Sequence, residues 1–411
     1  LMQGLIRRRD LLTLDELRLT DIDETRLNIV GEFCERVLNE NGLFPRILRT
    51  TDLPRALEGA EFVVTQIRAG KLEARIRDEK IPLEFGLIGQ ETTGIGGFVN
   101  ALRTIPQIEI IAKAVARYTP DAWLVNFANP SGIVTEFLLN HTPVKAVGLC
   151  NLPIGAQERI AKLLGLPMDQ VRLETVSLNH CGAITAVYVG GENVLPGLLH
   201  SDLLPAAAEQ DAWVANYLPI IELLGAIPND YLQYFFYRER KFNEFKNAPQ
   251  TRGEACRDIE ARLLSHYANE SNREVPAALA ERGGHLYSEA AIALIASLSG
   301  AAPGNHVVDV QNRGTIDFLP ETSVIETSCF VEQGCITRNP LTVPVNEVLR
   351  SLLTSVKAYE TLAVRAALTG DRATALQALA CNPITADLDK VAPCLTEMLE
   401  QNRSLLPRFF E

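Results

Sequence analysis

Apolar residues in the first 150 positions of this chain alternate between two patterns: short continuous runs, and longer stretches in which they recur every three or four places. The first pattern marks buried strands and the second amphipathic helices. Leu14 to Thr20 reads as a strand ending at Asp21-Ile22-Asp23, between helices over Leu1 to Arg9 and Thr25 to Asn39. Ala60 to Ile67, Ala122 to Phe127 and Val144 to Cys150 read as further strands, with helices over Ile105 to Tyr118 and Gly132 to Leu139. Strands alternating with helices predict a doubly wound parallel sheet, an α/β Rossmann-like domain over residues 1–150.

The pattern changes beyond Cys150. A helix over Ile154 to Leu164 is followed by strands over Val171 to Ser177 and Ile184 to Val189, which read as an antiparallel pair around Asn179-His180. Leu203 to Tyr267 is mixed and mostly helical, Pro276 to Gly284 a loop, and Ser288 to Ser297 a helix. Strand-like pieces near Asn305 to Asn312 and Ser323 to Phe330 precede helices over Val345 to Leu368 and Ala373 to Leu379. Residues 151–411 therefore read as an α+β second domain, with no visible linker and no internal repeat.

A chain of 411 residues can bury a large core, and 47% apolar with 22% charged residues is ordinary for a globular protein. The net charge of −12 argues against a nucleic-acid surface but leaves room for a local arginine pair that binds an anion. Eight cysteines lie scattered without a CxxC pair, which predicts reduced thiols and a cytoplasmic protein. No signal peptide or bilayer-length apolar run is visible, so no membrane partner is expected.

Several motifs could carry chemistry. Gly148-Leu149-Cys150-Asn151-Leu152-Pro153 and Leu178-Asn179-His180 each end a strand-like run with a metal-binding residue type. A thiolate and an imidazole suit a divalent transition metal, and two protein ligands would leave positions for substrate oxygens and water. Equally, Cys150 fits as a small core residue and His180 as a satisfied partner. Asn126-Phe127-Ala128-Asn129-Pro130 follows a strand, where Asn129 could both donate to and accept from a sugar hydroxyl, or simply start a turn. Asp21 could accept from an adenosine ribose or cap the helix that starts near Thr25. Gly94, Gly96 and Gly97 do not form GxGxxG and read as a flexible loop over a cofactor.

These framed motifs, with Thr65-Gln66-Ile67-Arg68-Ala69-Gly70, Asp78-Glu79-Lys80-Ile81-Pro82-Leu83, Gly89-Gln90-Glu91-Thr92 and Thr251-Arg252-Gly253, resemble glycoside hydrolase family four over nearly the whole chain. Members of that family are NAD- and metal-dependent glycosidases. Cys-Asn-x-Pro resembles the 6-phospho-β-glucosidase branch. The resemblance implies NAD and a divalent metal, Mn²⁺, on Cys150 and His180, with Asp21, Thr65, Gln66 and Asn126 on the cofactor. It implies Arg75, Asn129 and Arg252 on a phosphorylated disaccharide or aryl glucoside, Tyr231 as catalytic base, and Glu91 as the acid that raises its basicity. Tyr234 competes with Tyr231 in an aromatic cluster that would otherwise read as core, and Glu91 could instead cap the glycine-rich segment. The implied mechanism is redox elimination: oxidation at C3, deprotonation at C2, elimination at C1, water addition and re-reduction. Asn151 stands where some relatives hold an acidic proton donor, and an amide cannot protonate a leaving group.

The resemblance also implies a second domain like that of lactate and malate dehydrogenases, and a homodimer or homotetramer. No glycine-rich turn precedes Asp21, as a dinucleotide site requires; the family pattern places it before Leu1, so a longer full chain is expected. The other readings are an α-specific or non-phosphorylated glycosidase of the family, a 2-hydroxy-acid dehydrogenase, and a non-catalytic sugar-phosphate sensor.

Overall fold

The computed structural model describes residues 1–283 and 286–411. Twelve strands appear among them: β1 Glu16–Thr20, β2 Arg46–Thr50, β3 Phe62–Thr65, β4 Trp123–Asn126, β5 Lys145–Gly148, β6 Val171–Leu178, β7 Cys181–Val189, β8 Glu192–Asn193, β9 Ile227–Pro228, β10 Gly304–Gln311, β11 Val324–Glu332 and β12 Cys335–Arg338. β1 and β2 form a parallel pair of their own. The rest make one sheet in the order β3-β4-β5-β10-β11-β6-β7-β8, with β12 on β11 and β9 on β7. β3, β4 and β5 run parallel, and the strands beyond them pair antiparallel.

Helices cover both faces, because the central strands are apolar on both sides. On one face helices Gly94–Tyr118, Ser131–His141 and Glu347–Thr369 bury Phe98, Ile105, Val134, Leu138 and Leu353 at 2% exposure or less. On the other, helix Tyr287–Ser299 packs Ala291 and Leu294 against Val125, Val147 and Val308, and helix Met2–Arg7 lies on it. Each such Leu, Ile or Phe contributes about 1.5–3 kcal/mol of burial free energy.

Two features correct the sequence reading. The glycine-rich segment is not a loop: Gly94 to Gly97 form the first turn of the 25-residue helix Gly94–Tyr118. A Cβ on Gly96 would stand 2.3 Å from the Gln90 carbonyl oxygen, and one on Gly97 2.1 Å from that of Thr92. These glycines permit close backbone packing rather than motion. The loop expected over Pro276 to Gly284 contains a short helix, Ala278–Glu281, and its last residue, Gly284, lies outside the described residues.

The register aligns the carboxyl ends of the parallel strands, with Thr65 opposite Asn126 and Asn126 opposite Gly148. Ligands of open α/β sheets bind outside these ends. A cleft of about 2540 Å³ runs there, lined by β1, β3 and the segments that follow β3, β4 and β5.

Candidate active site

β6 and β7 close through a two-residue turn, Asn179-His180, between the paired Leu178 and Cys181. His180 takes φ +64°, in the left-handed region that histidine seldom occupies. This conformation sets its Nε2 3.4 Å from the Cys150 sulfur, which sits just past β5. Both side chains are buried, and both line the cleft. Metal bonds to sulfur and to imidazole nitrogen are roughly 2.3 and 2.1 Å long, so a 3.4 Å separation lets both atoms reach one ion. Burial lowers the His180 pKa to about 4, which leaves the ring neutral and able to ligate. His180 Nδ1 is buried and lacks a hydrogen-bond partner among the described residues. No group of three or more His, Cys, Asp and Glu side chains gathers among the described residues, so an ion here would draw further ligands from substrate or water.

Tyr231 stacks on the His180 ring, with centroids 4.2 Å apart and planes 6° from parallel. It belongs to the short 3-10 turn Asp230–Leu232, whose backbone N–H at Tyr231 is capped by the Asn229 side chain at 2.9 Å. Asp230 anchors this turn: Arg159 and the Trp213 indole N–H both donate to its carboxylate at 3.0 Å. Burial and the neighbouring Tyr234, Glu91 and Cys150 push the Tyr231 hydroxyl well above the ordinary tyrosine range. Tyr234 touches Tyr231 edge-on at 5.4 Å and also lines the cleft.

Glu91 does not cap the glycine-rich turn, which has no side-chain cap; Gln90 braces the residues before it, accepting from the Thr92 and Thr93 N–H groups at 2.6 Å. Glu91 pairs instead with Arg68 at 2.5 Å and Arg75 at 3.3 Å. Burial alone would raise its carboxyl, but the two guanidiniums overcome that and hold it below the usual range. Arg75 also bonds Glu79 at 2.8 Å, and the other Glu79 oxygen accepts the Gly253 N–H at 2.6 Å. Glu79 thus ties Arg75 to the start of helix Arg252–Ala268, whose N-cap Thr251 and Glu254 form a reciprocal capping box. Arg252 is exposed, lines the cleft and donates to the Glu281 carbonyl at 2.7 Å.

Asn129 lines the cleft next to a cis bond to Pro130, and its carbonyl accepts from the Asn100 amide at 3.0 Å. Asn126 is placed otherwise than expected. It is fully buried, is not among the cleft's lining residues, and spends its side chain on Thr65, Thr135 and the Ala128 backbone. It braces the turn that presents Asn129. Thr65 and Gln66 both line the cleft. So does Asp21, which accepts the Asp23 N–H at 3.0 Å, while the helix cap is Asp23. The half-exposed Asp21 carboxylate keeps lone pairs for a ribose hydroxyl, which fits a dinucleotide.

The model for "Family 4 glycosyl hydrolase" matches residues 1–166, and the model for the family's C-terminal domain matches residues 176–385. The chain belongs to glycosyl hydrolase family 4. A probable 6-phospho-beta-glucosidase of Bacillus subtilis is 37% identical over all of this chain and 95% of its own length. Among solved structures, a 6-phospho-beta-glucosidase from Thermotoga maritima, described as holding manganese, NAD+ and glucose-6-phosphate, is 33% identical, with a TM-score of 0.89 over 98% of this chain and 95% of its own. A lactate dehydrogenase from a deep-sea metagenome superposes at a TM-score of 0.51 and 12% identity, over 89% of this chain and 95% of its own, a likeness of fold alone. This family 4 member is therefore a glycosidase built on a Rossmann-like α/β frame.

Sequence reasoning missed several residues of the site. Arg68 lay inside a quoted motif, yet only the fold shows it against Glu91. Asn100 and Arg159 carried no signal, and Asp230, the neighbour of Tyr231, was given no role, because each acts through partners far along the chain. Ile22 is 93% exposed at the cleft beside Asp21, an apolar platform that an exposed loop position did not announce.

Proposed function

We propose that this protein hydrolyses 6-phospho-β-glucosides, using NAD+ and a divalent metal, Mn²⁺. The observation that carries the reading is the Cys150–His180 pair at 3.4 Å, stacked on Tyr231 and open to a cleft that also holds Arg252 and Asp21. The relatives named above, one of them described with manganese, NAD+ and glucose-6-phosphate, support the choice of ligands and substrate. Asn151 after Cys150 supports the β branch.

Residues of the 1–150 half bind and orient the cofactor, with Asp21 on the adenosine ribose and Thr65 and Gln66 along its path. Cys150 and His180 hold the metal. When bound, NAD+ supplies hydride acceptance and return at the sugar C3, and the metal supplies polarisation of the adjacent oxygens. Asn129 donates to a sugar hydroxyl. Arg252 binds the 6-phosphate, with Arg75 held alongside it through Glu79. Tyr231 takes the proton from C2, and Glu91 holds Arg68 and Arg75 in place. The leaving group departs from C1, and water adds in its place. The protein works in the cytoplasm, where phosphorylated sugars are found.

Release of aryl alcohol from an aryl 6-phospho-β-glucoside tests this reading. We expect turnover only with both Mn²⁺ and NAD+ present, and no net NADH. Steady NADH accumulation would favour a dehydrogenase, and turnover of unphosphorylated or α-linked substrates would move the specificity within the family.

A further inference from the structure

Directly behind the Cys150–His180 pair lies a buried carboxylate that the proposed reaction does not use. Asn179, the turn residue before His180, is 8% exposed and donates its amide N–H to Glu326 Oε1 at 2.9 Å. Glu326 lies on β11 and is 3% exposed. β11 pairs with β6 at Glu326 opposite Ser177, and the Ser177 hydroxyl donates to Glu326 Oε2 at 3.3 Å. The register therefore fixes this carboxylate at the base of the turn that carries His180.

Two facts need a cause. A non-glycine turn residue at φ +64° persists only where its surroundings over-determine it. A carboxyl buried among neutral donors is costly to ionise without a nearby positive charge: burial pushes Glu326 up to about 8, and none of the ion pairs among the described residues includes it. The nearest buried anion, Asp309, adds to the deficit: it is 1% exposed and is held by the Ser131 hydroxyl at 2.7 Å. The hold of Glu326 on Asn179 answers the first, and a dication on Cys150 and His180 would answer the second.

We propose that Glu326 is a positioning residue for the metal centre: it holds Asn179, and with it the turn that carries His180, and sets a negative charge behind the ligand pair once a cation is bound. This rests on the metal assignment made above. Groups that hold and orient metal ligands in this way typically change affinity by about 10- to 100-fold when removed.

Cobalt(II) titration of the full-length protein, followed by thiolate-to-cobalt absorption, provides a test independent of turnover. The wild type should show the band and Cys150→Ser should lack it. Glu326→Gln keeps the size and an acceptor for Asn179 but removes the charge. It should bind cobalt roughly tenfold or more weakly, with a shifted band and an unchanged far-ultraviolet circular dichroism spectrum. Wild-type affinity and an unshifted band in folded Glu326→Gln would overturn the proposal. Should that variant not fold, Glu326→Asp, which withdraws the carboxylate from Asn179 by one methylene, decides: weakened binding supports the role and unchanged binding overturns it. A wild type without the band would overturn the metal assignment itself, and the proposal with it.

Discussion

Tyr231 shows how much a single side chain depends on its surroundings. Its hydroxyl is pushed up by burial, so it can serve as a base only when positive charge stabilises the phenolate. Arg68 and Arg75 are already matched to Glu91, which leaves the metal on the stacked His180 as the main source of that charge. Tyr231→Phe removes only the ionisable oxygen and preserves the stack. We expect kcat to fall about 10²- to 10⁴-fold while reduction of bound NAD+ on mixing with substrate survives, read by absorbance in a stopped-flow instrument. An unchanged rate would move the base to Tyr234. Cys150 and His180 were legible in the sequence because each stands in a framed motif, and Tyr231 through the family resemblance. The partners that tune them were not, since Glu326 stands 147 positions from the Asn179 it holds.

At the scale of elements, the start of helix Arg252–Ala268 is where the anion site is built. Thr251 and Glu254 satisfy its first N–H groups, so the end is rigid before any ligand arrives. Glu79 takes the Gly253 N–H and the Arg75 guanidinium together, binding two helices at one carboxylate. A Cβ on Gly253 would stand 2.9 Å from Glu79 Oε2 and 3.0 Å from Ile76 Cγ1. Gly253→Ala should therefore displace Glu79 and Arg75 and raise KM for the phosphorylated substrate severalfold, with kcat little changed. Arg252→Ala should raise KM by about tenfold, or about 1.4 kcal/mol. Steady-state kinetics on phosphorylated and unphosphorylated aryl glucosides would check both, and equal KM changes on the two substrates would place the phosphate elsewhere. Periodicity found the long helices of this fold, but it misplaced the start of Gly94–Tyr118, because glycines that allow close packing look the same in sequence as glycines that allow motion.

At the scale of the whole molecule, one buried ion pair joins segments that the sequence keeps far apart. Arg103, 2% exposed in helix Gly94–Tyr118, donates to Asp78 on helix Lys71–Glu84 at 3.0 Å, to the Asn402 side chain at 3.2 Å, and to the Ala69 carbonyl at 3.4 Å. These contacts lock the wall of the cleft below Arg68 and Arg75 to the C-terminal end of the chain. Burial pushes the Asp78 carboxyl up to about 6, against the pull of Arg103. A carboxyl raised in the folded state disfavours folding as pH rises through that value, because the unfolded chain gives up its proton first. Arg103→Met removes the compensating charge and leaves Asp78 buried alone, a change that typically costs about 3–5 kcal/mol. The penalty should grow as the pH rises above 6, because the wild-type Asp78 ionises against Arg103 while the variant's carboxyl, pushed higher still, must stay protonated or ionise unpaired, and it should shrink as the pH is lowered and both carry the neutral acid. Urea unfolding of the wild type and Arg103→Met at a series of pH values measures this directly. A stability gap that stayed constant across the series would mean that Arg103 acts through packing, and that its charge does nothing to hold the two ends of the molecule together.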